Sequence, residues 1–288
     1  MTNIRFLYIP FLLFFILSAC GKDHSPESSF INEKWQETVF KKGVTYKYIV
    51  DVTIRGSQQT IHIVEVDTEL SDYKIDVAHQ NGELVKTSIL ASKVEADIAI
   101  NGNFFDPDQG DAVCYFMSQG TKVNPTIPDP DEILFLDMLD EAAIAIQNGR
   151  PEIVEKPSAG WEKLSGFETV LSSGPLLIMD GAIQQQEDID FMNNRHARTA
   201  FGIGEGKVFL VVVDGYMDQA SGMSINDLSS LMLELGSTAA INLDGGGSST
   251  LWVDDENGER VLNYPTDNDT FDHQGERAVA NAVVIHTQ

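Results

Sequence analysis

The chain has 288 residues, 42% hydrophobic and 22% charged, enough apolar content for a sizeable core and ordinary for a globular protein rather than a disordered one. Forty-four acidic residues against 19 basic ones give a formal net charge of −25. That charge excludes electrostatic attraction to nucleic acid or anionic lipid, and any phosphate must be held by locally placed donors.

In chain order, residues 1–19 read as a secretory signal peptide: Arg5, an apolar run over 6–17, then Ser18 and Ala19. The run is shorter than the ~20 residues a transmembrane helix needs. Leu17-Ser18-Ala19-Cys20 resembles a bacterial lipobox, in which cleavage precedes the cysteine and its thiol is lipidated. Export, a lipid anchor at Cys20 and a place in the bacterial cell envelope are the expectation; a plain signal peptide with a chance cysteine is the alternative. Two or more acyl chains make such an anchor stable. Lys22-Asp23 is compatible with outer-membrane sorting. Residues 20–38 then form a polar tether, and one domain covers 39–288. With Cys20 lipidated no disulfide remains, and Cys114, in "AVCYFM", reads as a buried small hydrophobe.

Residues 44–68 alternate with period two around Arg55-Gly56-Ser57-Gln58, which predicts a hairpin. "YKIDVAHQ" is a third strand, residues 87–95 a short helix, and "ADIAINGNFFDPDQGD" a buried strand entering a polar loop. Residues 120–160 are irregular. "SSGPLLIMDG" is a strand. Residues 199–203 and 208–213 form a hairpin through Gly204-Glu205-Gly206. "SINDLSSLMLELG" is the clearest helix, with Ser224 as N-cap and Gly236 as its stop. "AAINLDGGGSSTLWV" is strand, glycine loop, strand; "ENGE" is a hairpin turn and "ERAVANAVVIH" a closing strand. The expected class is α+β: a single domain of mixed or antiparallel sheet with flanking helices.

Six stretches can carry chemistry. Gly245, Gly246 and Gly247 follow Asp244 and precede Ser248, Ser249 and Thr250. Three glycines suit backbone that must approach a ligand, with N–H groups forming an anion-binding concavity; a β-bulge between strands is the alternative. Asn101 and Asn103, at the end of an apolar strand, suit sugar hydroxyls, or an Asx-turn. Arg198, in a base-poor chain, suits a phosphate or carboxylate, or a surface ion pair. Asp214 and Asp244 each end an apolar strand and precede glycine, a placement that suits paired carboxylates at a glycosidic bond, or simple turns. "DPDQGD" and "DNDTFD" carry carboxylates at calcium-like spacing without completing an EF-hand, so no cofactor is required and calcium is possible.

Taken in order, "AINGNFFD", "SSGPLLIMDG", "ARTAFGI", "VVVDGY", "GMSINDLSSLMLELG", "AINLDGGGSSTLW" and "ERAVANAVVI" resemble the phosphodiester glycosidase family, which also holds bacterial exopolysaccharide-associated proteins. The resemblance spans residue 44 to the C-terminus. Asn103 stands where the family often has glycine, and Ala197 where it often has proline. The resemblance implies a hydrolase that cleaves a sugar 1-phosphodiester at the sugar, freeing a reducing sugar and leaving a phosphomonoester. It implies Asp244, Asp214 and Arg198 as catalytic residues. Asn101, Asn103, Thr199, Asn242, Gly245, Gly246, Gly247, Ser248, Ser249 and Arg277 are then substrate contacts. The substrate is a cell-surface or exogenous glycan or sugar phosphodiester, with no nucleic acid and only a lipid contact with membrane. The competing class is a non-catalytic carbohydrate-binding lipoprotein or exopolysaccharide assembly factor on the same fold. The sequence sets no oligomeric state.

Overall fold

The computed structural model describes residues 29–124 and 138–287, so Cys20, the signal segment and part of the proline-bearing stretch lie outside the described residues. The strands are β1 (Gln36–Lys41), β2 (Val44–Ile54), β3 (Ser57–Asp67), β4 (Tyr73–His79), β5 (Val85–Lys86), β6 (Ile98–Asn101), β7 (Phe116–Ser118), β8 (Thr121–Asn124), β9 (Ala142–Gln147) and β10 (Arg150–Glu155). There follow β11 (Thr169–Ser173), β12 (Leu176–Met179), β13 (Ala182–Ile183), β14 (Arg198–Gly204), β15 (Lys207–Val213), β16 (Ser237–Asn242), β17 (Leu251–Asp255), β18 (Gly258–Val261), β19 (Ala278–Val279) and β20 (Asn281–Thr287). The helices are short: α1 (Thr87–Lys93), α2 (Asp190–Asn193) and α3 (Ile225–Glu234).

Every pairing between these strands is antiparallel. An eight-stranded sheet runs β1-β2-β3-β15-β14-β16-β12-β13. Two five-stranded sheets run β10-β9-β11-β7-β8 and β18-β17-β6-β20-β4, and β19 pairs β5. The fold is therefore β-rich, with helices a minor part of the α+β class expected. The inner faces of the three large sheets share one core, which includes Val64, Phe201, Leu210, Ile241, Ile100, Ile144 and Val283. A second core covers the outer face of the eight-stranded sheet, where α3 lays Leu228, Leu231 and Met232 against Phe209 and Val211. The Ser224 hydroxyl caps α3 by accepting the Asp227 N–H at 3.2 Å.

Two differences from the sequence expectation have local causes. Residues 29–38 are not all tether: Phe30 is 1% exposed within the outer core, the Ser29 hydroxyl donates to Glu234 at 2.7 Å, and β1 opens at Gln36. Burying one Phe stabilises by roughly 1.5–3 kcal/mol, enough to hold this segment on the domain. The packed domain thus reaches back to Ser29 rather than starting at 39. The region 120–160, read as irregular, contains the β9–β10 hairpin. Its turn is Asn148-Gly149 at φ 52° and 72°, the left-handed pair a two-residue hairpin turn needs. The signal was obscured because Ala142 to Ile146 are all buried, so β9 shows no polar alternation.

The pairings also gather the strand ends that matter. Arg198 opens β14 opposite Val213 at the end of β15. Ala200 faces Asn242 at the end of β16, and Leu251 opens β17 opposite Ile100 near the end of β6.

Candidate active site

At the end of β16 the chain passes through Leu243 and Asp244 and turns over the three glycines into β17, with a short 3-10 turn at Gly246–Ser248. Gly246 sits at φ 62°, a conformation that side chains other than glycine's resist. Gly247 lies close under two side-chain ends: a Cβ there would lie 2.5 Å from Arg277 Nη2 and 2.8 Å from Asp267 Oδ1, and both would have to shift. The run is backbone pressed beneath the Arg277–Asp267 ion pair, whose Nη2–Oδ1 distance is 2.6 Å.

The expected nest of three glycine N–H groups is only partly available. Gly245 N–H donates to Asp244 Oδ1 at 2.9 Å and Gly246 N–H to the Ala197 carbonyl at 2.9 Å. The free polar capacity lies in side chains instead. The hydroxyls of Ser173, Ser248, Ser249 and Thr250 and the Oδ1 of Asn242 are buried without a partner among the described residues. Buried polar atoms are ordinarily hydrogen-bonded, so five such orphans at one end of the sheets leave hydrogen-bonding capacity there for ligand or water.

Asp244 stands at this place and is half-buried. Burial pushes its carboxyl up to about 6, against the lowering influence of the Ser248 hydroxyl, the Gly245 N–H and the Arg277 cation. The Ser248 hydroxyl lies beside the carboxylate but not in good hydrogen-bonding geometry, which is why its oxygen counts among the orphans. Arg277 is 44% exposed at the rim, with its Nε on Asp267 at 2.8 Å. Tyr216 and His196 lie beside the glycine loop. Tyr216 OH lies 3.5 Å from where a Gly246 Cβ would stand, and it hydrogen-bonds His196 Nδ1 at 2.9 Å. Burial, then the Arg198 charge, lowers the His196 pKa.

Four expected contacts are spent inside the protein. Asn101 donates to the Asp244 carbonyl at 2.7 Å and accepts from the Thr199 hydroxyl at 2.7 Å and Thr250 N–H at 3.1 Å. Neither Asn101 nor Thr199 is presented to a sugar; together they tie β6, β14 and the glycine loop. Asn103 donates to the Ser172 carbonyl at 3.0 Å and accepts from Asn281 at 2.8 Å. Arg198, 1% exposed, is likewise no surface anion receptor. Its Nε donates to the Met223 carbonyl at 3.0 Å and its Nη2 to the carbonyls of Phe191 at 2.6 Å and Asn194 at 3.2 Å. It sits over the Phe191 ring at 4.8 Å, and burial lowers its pKa to about 10.

Asp214, expected as the second catalytic carboxylate, is 1% exposed and saturated. Oδ1 accepts Asn263 Nδ2 at 2.8 Å and Tyr264 N–H at 3.1 Å; Oδ2 lies 3.1 Å from both Tyr264 N–H and His62 Nε2. Asn263 also donates to the Ser249 carbonyl at 2.9 Å. Asp214 thus ties the segment after β18 to the end of β15 and, through Asn263, to the glycine loop. The structure gathers Asp244, Asn242, Gly245–Gly247, Ser248, Ser249 and Arg277. Sequence reasoning did not name Ser173, His196, Tyr216 or Asp267 as site residues, although Ser173 lies in "SSGPLLIMDG", Asp267 opens "DNDTFD", and His196 and Tyr216 adjoin "ARTA" and "VVVDG".

Among the described residues no group of three or more His, Cys, Asp or Glu is placed to hold a metal. In "DPDQGD", Asp106 Oδ1 accepts the N–H groups of Asp108 and Gln109 at 2.8 and 3.1 Å. In "DNDTFD", Asp267 pairs Arg277 and Asp272 accepts from Asn268 and Gln274. A cleft of about 890 Å³, lined by Lys74, Asp76, Asn148, Glu168 and His286, contains none of the residues of this site.

Comparison with known proteins gives the arrangement a context. The chain matches the phosphodiester glycosidase family over residues 94–286. It is 27% identical to the bovine (Bos taurus) N-acetylglucosamine-1-phosphodiester alpha-N-acetylglucosaminidase over 178 residues, covering 59% of this chain and 33% of that protein. It is 25% identical to the human (Homo sapiens) protein of the same name over 185 residues, covering 62% and 35%. The chain spans about a third of the length of these curated relatives. In fold it is similar to the zebrafish catalytic domain of that enzyme, with a TM-score of 0.65, 22% identity and 88% of each chain covered. A hypothetical protein from Synechocystis matches with a TM-score of 0.63 at 16% identity, over 89% of this chain and 64% of that one.

Proposed function

The chain belongs to the phosphodiester glycosidase family, and from that premise we propose that it hydrolyses a sugar 1-phosphodiester on the sugar side, releasing a reducing sugar and leaving a phosphomonoester. The observation that carries this reading is Asp244: a half-buried carboxylate with its pKa near 6, beside unpaired buried hydroxyls and under a cation. In the reaction the sugar C1–O bond breaks and its electron pair leaves with the phosphate oxygen. Water adds to C1 and gives up a proton. Asp244, ionised at neutral pH, faces the positive charge that develops on the sugar and takes that proton. The leaving phosphate is already an anion and needs charge neutralisation more than protonation. Arg277 and the hydroxyls of Ser248 and Ser249 supply donors that are in place before reaction. Tyr216 and His196, beside the glycine loop, offer hydrogen bonds to sugar hydroxyls. Substrates on the cell surface or on exogenous glycans suit an exported protein.

The purified protein incubated with a UDP-sugar or a chromogenic sugar 1-phosphodiester is expected to release reducing sugar. Arg277→Ala raises KM about tenfold, the loss of roughly one charge-assisted hydrogen bond to phosphate, with a smaller change in kcat. Sugar phosphodiester bound without release overturns the hydrolase and leaves a binding protein on the same fold.

We also propose the envelope anchor at Cys20, on the order Leu17-Ser18-Ala19-Cys20. Cys20→Ala moves the protein from the membrane to the soluble fraction; unchanged fractionation refutes the lipobox.

A further inference from the structure

Tyr216 stands at the glycine loop in a conformation that a tyrosine seldom takes. It is 54% exposed, and its backbone sits at φ 64°. Left-handed backbone is rare for a bulky side chain. Of the eight described residues other than glycine in that region, Tyr216 alone is aromatic. Arg55, Gln119, Asn148 and Asp180 open tight turns with the glycine that follows each, which Tyr216 does not. Such strain persists only where the surroundings enforce it, and functional sites are where it collects.

The surroundings here are backbone packed on backbone. A Cβ at Gly215 would lie 2.4 Å from the Ala197 nitrogen, and one at Gly222 would lie 2.5 Å from the His196 carbonyl carbon. Met217 and Ala220 exchange N–H bonds at 3.1 and 3.0 Å, and His196 and Met223 do so at 3.3 and 2.9 Å. The Tyr216 ring is therefore aimed before any ligand arrives, which lowers the ordering cost of binding. Its hydroxyl points to the loop, 2.9 Å from His196 Nδ1 and 3.5 Å from a Cβ position at Gly246. Burial raises the pKa of that hydroxyl, the Arg198 and Arg277 charges lower it and Asp244 raises it, so the tip of the side chain lies among the groups of the site. The ring behind the tip is open. Among the described residues its one ring contact is His196, at 5.8 Å and tilted by 57°, so no ring is stacked on either face.

Asp244 is half-buried, while Arg277 and Tyr216 are exposed. Arg277 lies over Gly247 and the Tyr216 hydroxyl beside Gly246, and neighbouring Cα atoms are only ~3.8 Å apart. A phosphate on Arg277 with its sugar carbon towards Asp244 has its other ester oxygen on the solvent side, where the Tyr216 ring stands. We infer that the Tyr216 ring is a platform for the leaving alcohol, favouring alcohols that carry a flat ring, aryl or nucleoside, over alkyl ones. The placement of the phosphate rests on the proposed hydrolysis. Stacking needs a planar face rather than a particular set of hydrogen bonds, so the selection is for shape and not for one base.

The test reads binding of the phosphomonoester product, which needs no turnover. The purified protein is titrated by calorimetry with phenyl phosphate, uridine 5′-monophosphate and methyl phosphate. The two ring-bearing esters bind at least about fivefold tighter than methyl phosphate, the low end of what stacking on an aromatic side chain is worth. Tyr216→Gly, which accepts the left-handed backbone without strain, brings all three to within about twofold of one another. Tyr216→Phe keeps the preference, and Arg277→Ala weakens all three together. Equal binding of the three esters by the unaltered protein, binding of none, or a preference that survives Tyr216→Gly overturns the platform. Release of reducing sugar alongside equal ester binding sinks the platform and leaves the hydrolase; the ring preference without any release upholds the platform and sinks the hydrolase.

Discussion

Asp244→Asn abolishes most turnover and raises the melting temperature at the same time. The first effect follows from the proposed role of this carboxylate, taking the proton from water, which is worth about 10²–10⁴-fold in kcat. The second follows from burial. The Asp244 carboxyl titrates near 6 in the folded protein and near 3.8 as an unperturbed group. Between those values the unfolded chain has lost a proton that the folded chain keeps. Folded stability from this group is therefore fullest below pH 4, falls as pH rises to about 6, and stays at its deficit above. A shift of that size corresponds to about 3 kcal/mol at most, and to roughly half that once water reaching the half-open carboxylate is allowed for. Asparagine carries no such deficit and keeps an oxygen for Gly245 N–H. The expected gain is roughly 3–6 °C at pH 8, fading towards pH 4. On the proposed mechanism the unaltered protein's kcat/KM should rise with pH to a plateau above about 6. A flat profile from pH 5 to 7, or an Asn variant that keeps its turnover, removes Asp244 from the chemistry.

Asp214→Ala is expected to cost stability rather than chemistry. It leaves Tyr264 N–H, Asn263 and His62 facing a cavity, a loss on the order of 3–5 kcal/mol and about 10 °C in melting temperature. Asp214→Asn keeps one acceptor oxygen for Tyr264 and Asn263 and is expected to hold kcat within about tenfold. The pair of variants separates the two roles a strand-end carboxylate can have. If the Asn variant melts normally but loses more than a hundredfold in kcat, Asp214 touches the reacting atoms rather than holding the fold around them.

The two aspartates look alike in sequence: each follows an apolar strand and precedes glycine. What separates them is not local. Asp214 meets donors 49 and 50 residues ahead and a histidine 152 residues behind, while Asp244 has the N–H of its own neighbour and an open side. The asparagines divide similarly. Asn101 and Asn103 sit at a strand end, as a sugar contact would. Yet their amides are consumed by Thr199, 98 residues away, and Asn281, 178 away, because three strands converge there and their buried polar edges need partners.

The sequence by itself determined what rests on nearest neighbours. The period-two alternation placed the β2–β3 and β14–β15 hairpins, Ser224 and Gly236 bounded α3, and the three glycines marked backbone held close to other groups. The ordered motifs placed the chain in its family. Only the tertiary structure decided which polar side chains are available to a ligand. Hydrogen-bonding capacity is finite, and a buried donor or acceptor is taken by whichever partner the strand pairing brings within about 3 Å. Arg198 was taken by three backbone carbonyls and Asp214 by the segment after β18, while Asp244, the Ser248 and Ser249 hydroxyls and Asn242 Oδ1 kept capacity to spare.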